Sequence, residues 1–481
     1  MENLRKIDIE NVTSIIQKVY LSDTIPWICG YSGGKDSTAI VQLVWNALSA
    51  LPKEKLKKKV HIINTDTLVE SPVVSLWAKG SLQKMEQVSR EKLNGIIAVH
   101  QLKPAAEDSY WVNLIGKGYA YPRPKFRWCT ERMKIAPSNQ FIQGILKAEG
   151  EAILVLGTRK AESASRRLNM EKYESRRYRE YLSPNGSLPN SYVFTPIENW
   201  TNDNVWQYLM QYPNPWGQSN KDLLAMYSGA SADGECPLVL DVNTPSCGNS
   251  RFGCWVCTMV SEDKSMAAMI KNDEEKSWML PLLEFRNYIA GDWETDRERR
   301  DFRRRDGHLT LFHDKLVHGP YKKAVREEFL RRLLQVEEVI HNIGPEEVKN
   351  IQLIQMDELR MIRKIWLEEY HEFDDSLPAI YEEIKGIPYD DGTISRNCYF
   401  GKVEFELLHE LCKEKFPEEE LLPELLTSII DIEAKAETVS NKRNILNNME
   451  KQLKKCSYCN EGDAENIMRV RMEKQEKYCK S

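Results

Sequence analysis

The octapeptide from Gly30 to Ser37, GYSGGKDS, combines glycines, hydroxyl groups and a lysine, which are residue types that bind phosphate. Glycines let the backbone turn tightly so that loop amides can face an anion, and Lys35 adds a positive charge. The loop departs from the Walker A pattern G-x-x-x-x-G-K-[ST], because Cys29 replaces the first glycine and Asp36 replaces the Mg²⁺-binding hydroxyl residue. The sequence therefore predicts a compact cradle for a pyrophosphate that leaves as a unit.

Asp36 raises a second expectation. A carboxylate beside a phosphate repels it unless the carboxylate is bound to Mg²⁺, to backbone amides or to a neighbouring donor. One of these partners is therefore expected at Asp36.

The elements that would position this loop alternate in type over the first 210 residues. Apolar runs typical of buried strands cover 25–30, 59–65, 96–102, 152–157 and 193–197, and helical patterns cover 35–48, 73–93 and 135–149. Strands alternating with helices predict βαβ units and a parallel sheet. Ligands bind at the carboxyl ends of the strands of such sheets, and the loop follows the first strand.

Composition limits the class of protein. The 481 residues are 41% apolar with a net charge of −5, so any polyanion site has to be a local patch. No stretch approaches the roughly 18 to 20 apolar residues of a membrane span, and the charged start lacks the apolar core of a signal peptide. We expect a soluble, cytoplasmic protein without a membrane partner. Eleven cysteines in that setting favour metal, cluster or catalytic thiols over disulfides.

The chain is expected to divide into four segments. Residues 1–210 form the α/β domain, 211–260 a cysteine-rich loop, 261–455 a mostly helical region and 456–481 a tail. Residues 297–307, RERRDFRRRDG, are typical of a solvated helix with ion pairs from Asp301 to Arg297 and Arg305. DNA contact by this stretch is the alternative. Cys456, Cys459 and Cys479 near the end stay unexplained.

Four cysteines lie within 22 residues, at Cys236, Cys247, Cys254 and Cys257. Structural zinc sites of this kind usually show two C-x₂-C pairs, whereas this segment has one. Irregular spacing suits a [4Fe–4S] cluster, in which each of the four irons needs one thiolate. Zinc stays open, as does a redox dithiol at Cys254 and Cys257, which would leave the other two cysteines without a role.

Cys129 is a separate candidate, in KFRWCTERMKIAP. It lies among Arg127, Arg132 and Lys134, and an electropositive setting favours a thiolate. It would then receive or hand on sulfur as a persulfide. The alternative is a half-buried cysteine selected for its size.

Basic residues are concentrated between positions 159 and 179, with glutamates interleaved. A salt-bridged, solvated helix and a phosphate-binding patch both fit this pattern. The position after a strand, on the ligand side of the sheet, favours phosphate binding.

The motif S-G-G-K-D-S resembles that of the PP-loop ATP pyrophosphatases, of the HUP or adenine-nucleotide α-hydrolase type. NTDTLVESP (64–72), GTRKAESASRR (157–167) and PIENWTNDNVWQYL (196–209) resemble the phosphoadenosine phosphosulfate (PAPS) reductase branch. The resemblance implies cleavage of ATP between the α- and β-phosphates, with Mg²⁺ and with Lys35, Asp36, Cys129 and Arg159 as catalytic residues. It also implies a nucleotide site formed by Ser32, Gly33, Gly34, Lys35, Asp36, Ser37, Asp66, Gly157 and Arg166. Asp66 would lie near the adenosine, Gly157 would let the backbone approach the nucleotide, and Arg159 and Arg166 would face phosphates or an anionic substrate.

The cysteine segment with GNSRFGCWVCT (248–258) resembles the DndC family of the DNA phosphorothioation system. That resemblance implies a [4Fe–4S] cluster on all four cysteines and replacement of a non-bridging oxygen of the DNA backbone by sulfur. It further implies a cysteine desulfurase as sulfur donor and other Dnd proteins as partners, including an SMC-like ATPase.

Three other functions fit the same residues. A reductase acting on PAPS or adenylyl sulfate would use the same pocket, although the expected ECGLH-like C-terminal segment is absent from the sequence. A tRNA-thiolating enzyme is the second. The third, of another class, is a non-catalytic, nucleotide-gated DNA-binding subunit.

Overall fold

The computed structural model describes residues 4–230, 252–313, 315–390, 400–436 and 442–480. Contacts divide the chain into two compact units. Unit 1 consists of Met1–Ala105 and Arg123–Arg286, and unit 2 consists of Ala106–Pro122 and Asn287–Ser481. These units follow spatial contact, whereas the four predicted segments follow composition and motifs, so that division stays a prediction.

Unit 1 is built around a mostly parallel sheet. Its strands in chain order are β1 Trp27–Gly30, β2 Val60–Thr65, β3 Ile97–Leu102, β4 Ala152–Val155, β5 Ser183–Pro184 and β6 Ser191–Phe194. Their spatial order is β3-β2-β1-β4-β6-β5, with β5 antiparallel to β6 and the other described pairs parallel. The apolar runs predicted as strands coincide with β1 to β4 and β6 to within three residues. The predicted α/β class is confirmed.

Helices cover both faces of this sheet. Those in unit 1 are α1 Lys6–Leu21, α2 Lys35–Ser49, α3 Pro72–Lys92, α4 Trp128–Thr130, α5 Ala136–Glu149, α6 Ala164–Glu174, α7 Asn202–Gln211, α8 Asn220–Gly229 and α9 Lys264–Asn272. Successive residues of β1 alternate between two cores, because strand side chains point to opposite faces. Trp27 and Cys29 join the core that contains α1, α2 and α7, and Ile28 joins the core that contains α5.

The strand order fixes where a ligand can bind. From β1 the chain proceeds through α2 to β2 and β3 on one side, and β4 then pairs with the other side of β1. A crevice opens at such a reversal, beyond the carboxyl ends of the two central strands. The loop after β1 and the loop after β4 both lie there.

Part of the predicted cysteine-rich loop is helical, so the prediction of an irregular 211–260 segment is wrong over α8. Ser219 caps this helix by accepting a hydrogen bond from the Lys221 amide, and Leu223 and Tyr227, four residues apart, are buried on one side of it. Cys236 and Cys247 lie outside the described residues.

Unit 2 is mostly helical, as predicted for the C-terminal region. The boundary between the two units falls within α10 Leu280–Ala290. The helices that follow in unit 2 are α11 Trp293–Glu298, α12 Lys323–Ile343, α13 Met356–Glu368, α14 Ser376–Lys385, α15 Lys402–Lys415, α16 Leu422–Ala436, α17 Lys442–Lys455 and α18 Glu461–Lys480. A two-stranded ribbon pairs β7 Leu311–Phe312 with β8 Lys315–Leu316. None of the described helices is both long and apolar enough to span a membrane.

Residues 106–122 belong to unit 2 although they follow β3 in sequence. The indole of Trp111 donates to the Leu353 carbonyl at 2.6 Å, and the indole of Trp366 donates to the Ile115 carbonyl at 3.1 Å. Buried indole donors need a partner, so these two bonds tie the inserted segment to α13 and its neighbours.

The predicted solvated helix over residues 297–307 is wrong beyond α11. The Asp301 amide donates to the Pro320 carbonyl at 2.8 Å, so the chain leaves the helix to pair with a distant segment. Asp301 forms an ion pair with Arg303 at 2.8 Å, and Arg305 pairs with Glu369. Tertiary pairing overrides the i,i+4 pattern here.

Candidate functional site

A cavity of about 720 Å³ opens at the carboxyl ends of β1, β2 and β4. Its size lies within the range of roughly 300–1,000 Å³ that is usual for ligand pockets. The predicted site residues in its wall are Ser32, Gly34, Lys35, Asp36, Ser37, Asp66, Arg159 and Arg166. Gly33 and Gly157 do not line the cavity. The structure thus brings together side chains that are up to 134 positions apart in the chain, from Ser32 to Arg166.

The loop between β1 and α2 is held by its own side chains. Ser37 Oγ donates to the Gly34 carbonyl at 2.9 Å and lies 3.2 Å from the Ser32 amide. Gly33 has φ +77°, a left-handed conformation that favours glycine, and its carbonyl accepts from the Trp77 indole at 3.1 Å. The turn is therefore fixed without a ligand.

Asp36 is bound by a neighbouring donor, one of the partners expected from the sequence. Arg159 is 3% exposed, and its Nε and Nη2 atoms both lie 2.8 Å from Asp36 Oδ1. Its Nη1 donates to the Trp200 carbonyl at 3.2 Å, and Lys35 Nζ lies 3.3 Å from Asp36 Oδ2. The guanidinium of Arg159 is thus directed at Asp36, and two cations neutralise the carboxylate.

The close approach of the loop after β4 to Asp36 also explains why position 157 is a glycine. A Cβ atom there would lie 2.6 Å from the Asp36 carbonyl oxygen, closer than real side chains allow. The glycine lets the loop after β4 reach the first turn of α2, a reason different from the predicted approach to a nucleotide.

Asp66 lies in the cavity wall at the end of β2. Its Oδ1 accepts a hydrogen bond from the backbone amide of Leu68 at 2.9 Å, and the side-chain amide of Gln101 donates to Oδ2 at 3.4 Å. These bonds fix the carboxylate at the edge of the cavity. The predicted role beside adenosine stays a prediction.

Tyr227 is a site residue that the sequence did not reveal. The Lys35 amide donates to its hydroxyl at 3.3 Å, and Lys35 Nζ lies 5.4 Å from its ring centre. Burial raises the pKa of Tyr227, so the phenol stays neutral. Phe252 packs edge-on against the ring at 4.7 Å between ring centres. No motif marks Tyr227, because α8 lies in the segment predicted as a loop.

Several basic residues of the 159–179 stretch are engaged in ion pairs. These are Lys160 with Glu174 at 2.7 Å, Arg177 with Glu198 at 3.0 Å, Arg179 with Asp23 at 2.7 Å, and Arg166 with Glu162. The salt-bridged alternative therefore describes these residues. Arg166 is the member that also lies in the cavity wall, with a half-exposed side chain.

The C-x-x-C turn is joined to the segment that follows β2. The Trp255 amide donates to the Val69 carbonyl at 3.0 Å, and Thr67 Oγ1 lies 3.5 Å from Cys254 Sγ. The Cys257 amide donates to the Cys254 carbonyl at 2.9 Å, closing the turn. Cys254, one of the predicted ligands, thus sits against residues 67–69.

Glu70 connects these thiols with the cavity. It lies in the cavity wall, 3.2 Å from Lys134 Nζ, and its Oε1 is 3.9 Å from Cys254 Sγ. Burial raises the pKa of Cys254 to about 12. Burial also raises the pKa of Cys129, with a further rise from Cys257, which disfavours the thiolate. The predicted role of Cys129 stays a prediction.

Two of the four predicted metal ligands, Cys254 and Cys257, lie within the described residues. The described ranges contain no group of three or more His, Cys, Asp or Glu side chains placed to hold a metal ion. Cys236 and Cys247 lie outside them. Cys254 and Cys257, free and on one turn, fit half of a four-thiolate site.

Comparison with known proteins agrees with this geometry. Residues 26–216 match the family described as phosphoadenosine phosphosulfate reductase domain. An uncharacterized protein of Methanocaldococcus jannaschii is 24% identical over 208 residues, which is 43% of this chain and 36% of the relative. The chain thus spans about a third of that relative's length.

Similarity to solved structures is low overall. A mutant FMN adenylyltransferase of Candida glabrata has 12% identity and a TM-score of 0.27, covering 50% of this chain and 68% of that one. The U34-tRNA thiolase NcsA of Methanococcus maripaludis, solved with its [4Fe–4S] cluster, has 14% identity and a TM-score of 0.26, covering 46% and 72%. The matched range, residues 26–216, contains the parallel sheet and the loop after β1, so the fold of this part of the chain agrees with a PAPS reductase-like domain.

Proposed function

We propose that this protein is an ATP-dependent sulfurtransferase that splits ATP into AMP and pyrophosphate and replaces a non-bridging oxygen of the DNA backbone with sulfur. One observation carries the sulfur chemistry: Glu70 lines the nucleotide cavity and contacts the Cys254 thiol, so thiols adjoin the place where a nucleotide would react. DNA as the substrate is supported by the resemblance of residues 248–258 to the DndC family.

The chain's own residues would bind and orient ATP. The fixed loop offers its amides and Lys35 to the pyrophosphate, and Arg159 holds Asp36 so that the carboxylate does not repel it. Mg²⁺ carried by the triphosphate would supply further charge neutralisation. Tyr227 fixes the start of α2 through the Lys35 amide, which keeps the lysine near the leaving group.

The proposed reaction has two steps. A non-bridging oxygen of the DNA phosphate attacks the α-phosphorus of ATP, the α–β bridge breaks, and pyrophosphate leaves. Sulfur at the sulfide level then attacks the DNA phosphorus, and AMP leaves with the oxygen. When the sulfur is carried as a persulfide on Cys129, a second thiol supplies the two electrons that cleave the S–S bond.

A [4Fe–4S] cluster would be held by Cys236, Cys247, Cys254 and Cys257 and would supply a redox or sulfur-binding centre beside the cavity. A cysteine desulfurase would deliver sulfur, and other Dnd proteins, including an SMC-like ATPase, would help to engage DNA. This dependence fits a net charge of −5, which gives the chain as a whole no attraction for DNA.

Mass spectrometry of DNA from cells with and without this protein tests the proposal. Phosphorothioate dinucleotides that disappear with the protein, and return with the wild-type chain but not with Lys35→Ala, are expected. Unmodified DNA together with thiolated tRNA would support the tRNA-thiolating alternative. ATP–pyrophosphate exchange separates an enzyme from a non-catalytic DNA-binding subunit, which would bind ATP without exchange.

A further inference from the structure

A second cavity, of about 310 Å³, lies within unit 2. Its wall contains seven cationic side chains and three carboxylates, those of Asp301, Glu372 and Glu424. It belongs neither to the matched domain nor to the nucleotide site. Its charge is therefore not explained by ATP chemistry.

The carboxylates of this wall are already engaged. Glu424 lies between Arg303 at 2.7 Å and Lys455 at 2.8 Å. Glu372 is paired with Arg326, which is 1% exposed. These pairs hold the wall together and leave no carboxylate of the lining to offset the other cations.

Two further cations of the wall are anchored from outside it. Arg305 pairs with Glu369, and Lys323 pairs with Asp374, and neither carboxylate faces the cavity. The anchors orient the two cations and leave the cavity surface itself positive.

The remaining two cations, Arg304 and Lys322, form no ion pair with any residue in the described ranges, and both are exposed. Lys322 is also the N-cap of α12, and the first turn of this 21-residue helix carries Lys323 and Arg326 but no acidic residue. Helix N-termini favour anions, and because Glu372 and Asp374 already neutralise Arg326 and Lys323, Lys322 is the cation at this N-terminus that has no ion-pair partner among the described residues.

An imidazole ring nitrogen completes the wall. His409 Nε2 is buried and has no hydrogen-bond partner among the described residues. Its ring packs at 4.1 Å from the ring centre of Phe405, and Lys323 Nζ lies 5.5 Å from the same ring. A buried polar atom without a partner points to a missing ligand group.

We propose that this cavity binds a phosphate group, held by Arg304, Lys322, the start of α12 and His409. The phosphate belongs either to a small phosphate ester or to a nucleic-acid backbone. The site goes beyond the proposed sulfurtransferase function, and its existence does not depend on ATP cleavage.

Isothermal titration of the full chain tests the site, with inorganic phosphate and a 12-base-pair DNA duplex as separate probes. Lys35→Ala serves as the background in every protein, because it weakens phosphate binding in the nucleotide cavity. Arg304→Ala/Lys322→Ala is compared with Lys315→Ala/Arg469→Ala, which removes the same two charges from exposed positions of unit 2 that lie outside the cavity. All four side chains are exposed, so folding is not at risk.

Arg304→Ala/Lys322→Ala should weaken phosphate binding roughly tenfold, because two exposed ionic contacts of about 0.7 kcal/mol each correspond to a factor of ten in affinity. Lys315→Ala/Arg469→Ala should change the affinity for phosphate by less than about twofold. Weaker duplex binding as well would assign the phosphate to a nucleic-acid backbone, and unchanged duplex binding would assign it to a small ester. Histidine NMR should show a phosphate-dependent shift of the resonance that His409→Gln removes. Equal phosphate binding in the two variants, or none in either, would overturn the proposal.

Discussion

The two units use charged side chains differently. In unit 1, strand ends and a glycine-rich turn place Lys35 and Asp36 at the edge of a cavity, where both are partly exposed. In unit 2, Arg326 and Glu372 are buried within the fold and join α12 to the segment after α13. We infer that charge in unit 1 serves ligand binding, because the backbone already fixes the turn. The buried Arg326–Glu372 pair of unit 2 serves stability, because a buried ion left without its partner is costly.

Cysteine pairs give the sharpest contrast, since each unit contains a C-x-x-C. Cys254→Ser or Cys257→Ser should abolish iron binding in protein purified without oxygen, because a [4Fe–4S] cluster needs all four thiolates. Cys456→Ser/Cys459→Ser should leave about four irons and four sulfides per chain. Iron and sulfide analysis with visible absorption measures this. Stoichiometric zinc without iron in the wild type would contradict the cluster. Cys129→Ser should keep the colour of the cluster and lose sulfur transfer.

The next effect concerns the loop after β1. Lys35→Ala should lower the rate of ATP cleavage by about 10²- to 10³-fold, as the loss of one preorganised charge does. Chromatography of the products should show AMP and pyrophosphate in the wild type. Lys55→Ala, on an exposed turn outside the cavity, is the matched control and should cleave ATP normally. ADP as the main product would contradict the proposed chemistry.

Unit 2 should respond in stability. Glu372→Gln leaves Arg326 buried without its counter-charge and should lower the free energy of unfolding by about 3 kcal/mol. Glu346→Gln removes an exposed partner of Lys349 and should cost less than about 0.5 kcal/mol. Urea unfolding followed by circular dichroism compares them. A similar loss in both would show that the buried pair contributes no more than a surface pair.

The smallest predicted effect is a pH dependence at Glu424. Burial by itself would raise the pKa of this carboxyl, but Lys455 and Arg303 lower it to about 2. Because the folded pKa lies below the ordinary value of 4.5, the group adds stability above pH 4.5 and loses it as the pH falls towards 2. We expect a loss of about 2 kcal/mol across this range, allowing for partial exposure. Glu424→Gln should remove that part of the pH dependence in urea titrations, and an unchanged slope would contradict it.

The sequence predicted the sheet well because strand signals are local. Runs such as VHIINT and AILV are short and rich in apolar and β-branched residues, and most of their residues are buried, as in strands covered on both faces. The glycine-rich loop after β1 was also recognisable, because its residue types lie in eight consecutive positions. The prediction of a solvated helix over residues 297–307 was wrong for the opposite reason, because the partners of this stretch, Pro320, Glu369 and Glu424, are distant in sequence.

Local chemistry by itself determined that a glycine-rich loop with a lysine follows a buried strand and that four cysteines lie close together in the chain. Tertiary structure alone decided that Arg159 holds Asp36, that Tyr227 supports Lys35, and that the C-x-x-C turn sits against the wall of the cavity at the strand ends. It also decided the direction in which the pKa of Cys129 shifts, because burial of the thiol raises it. The physical reason is that desolvation and ion pairing depend on which atoms surround a group in space. The spacing of residues in the sequence does not show which residues from distant parts of the chain will lie beside that group.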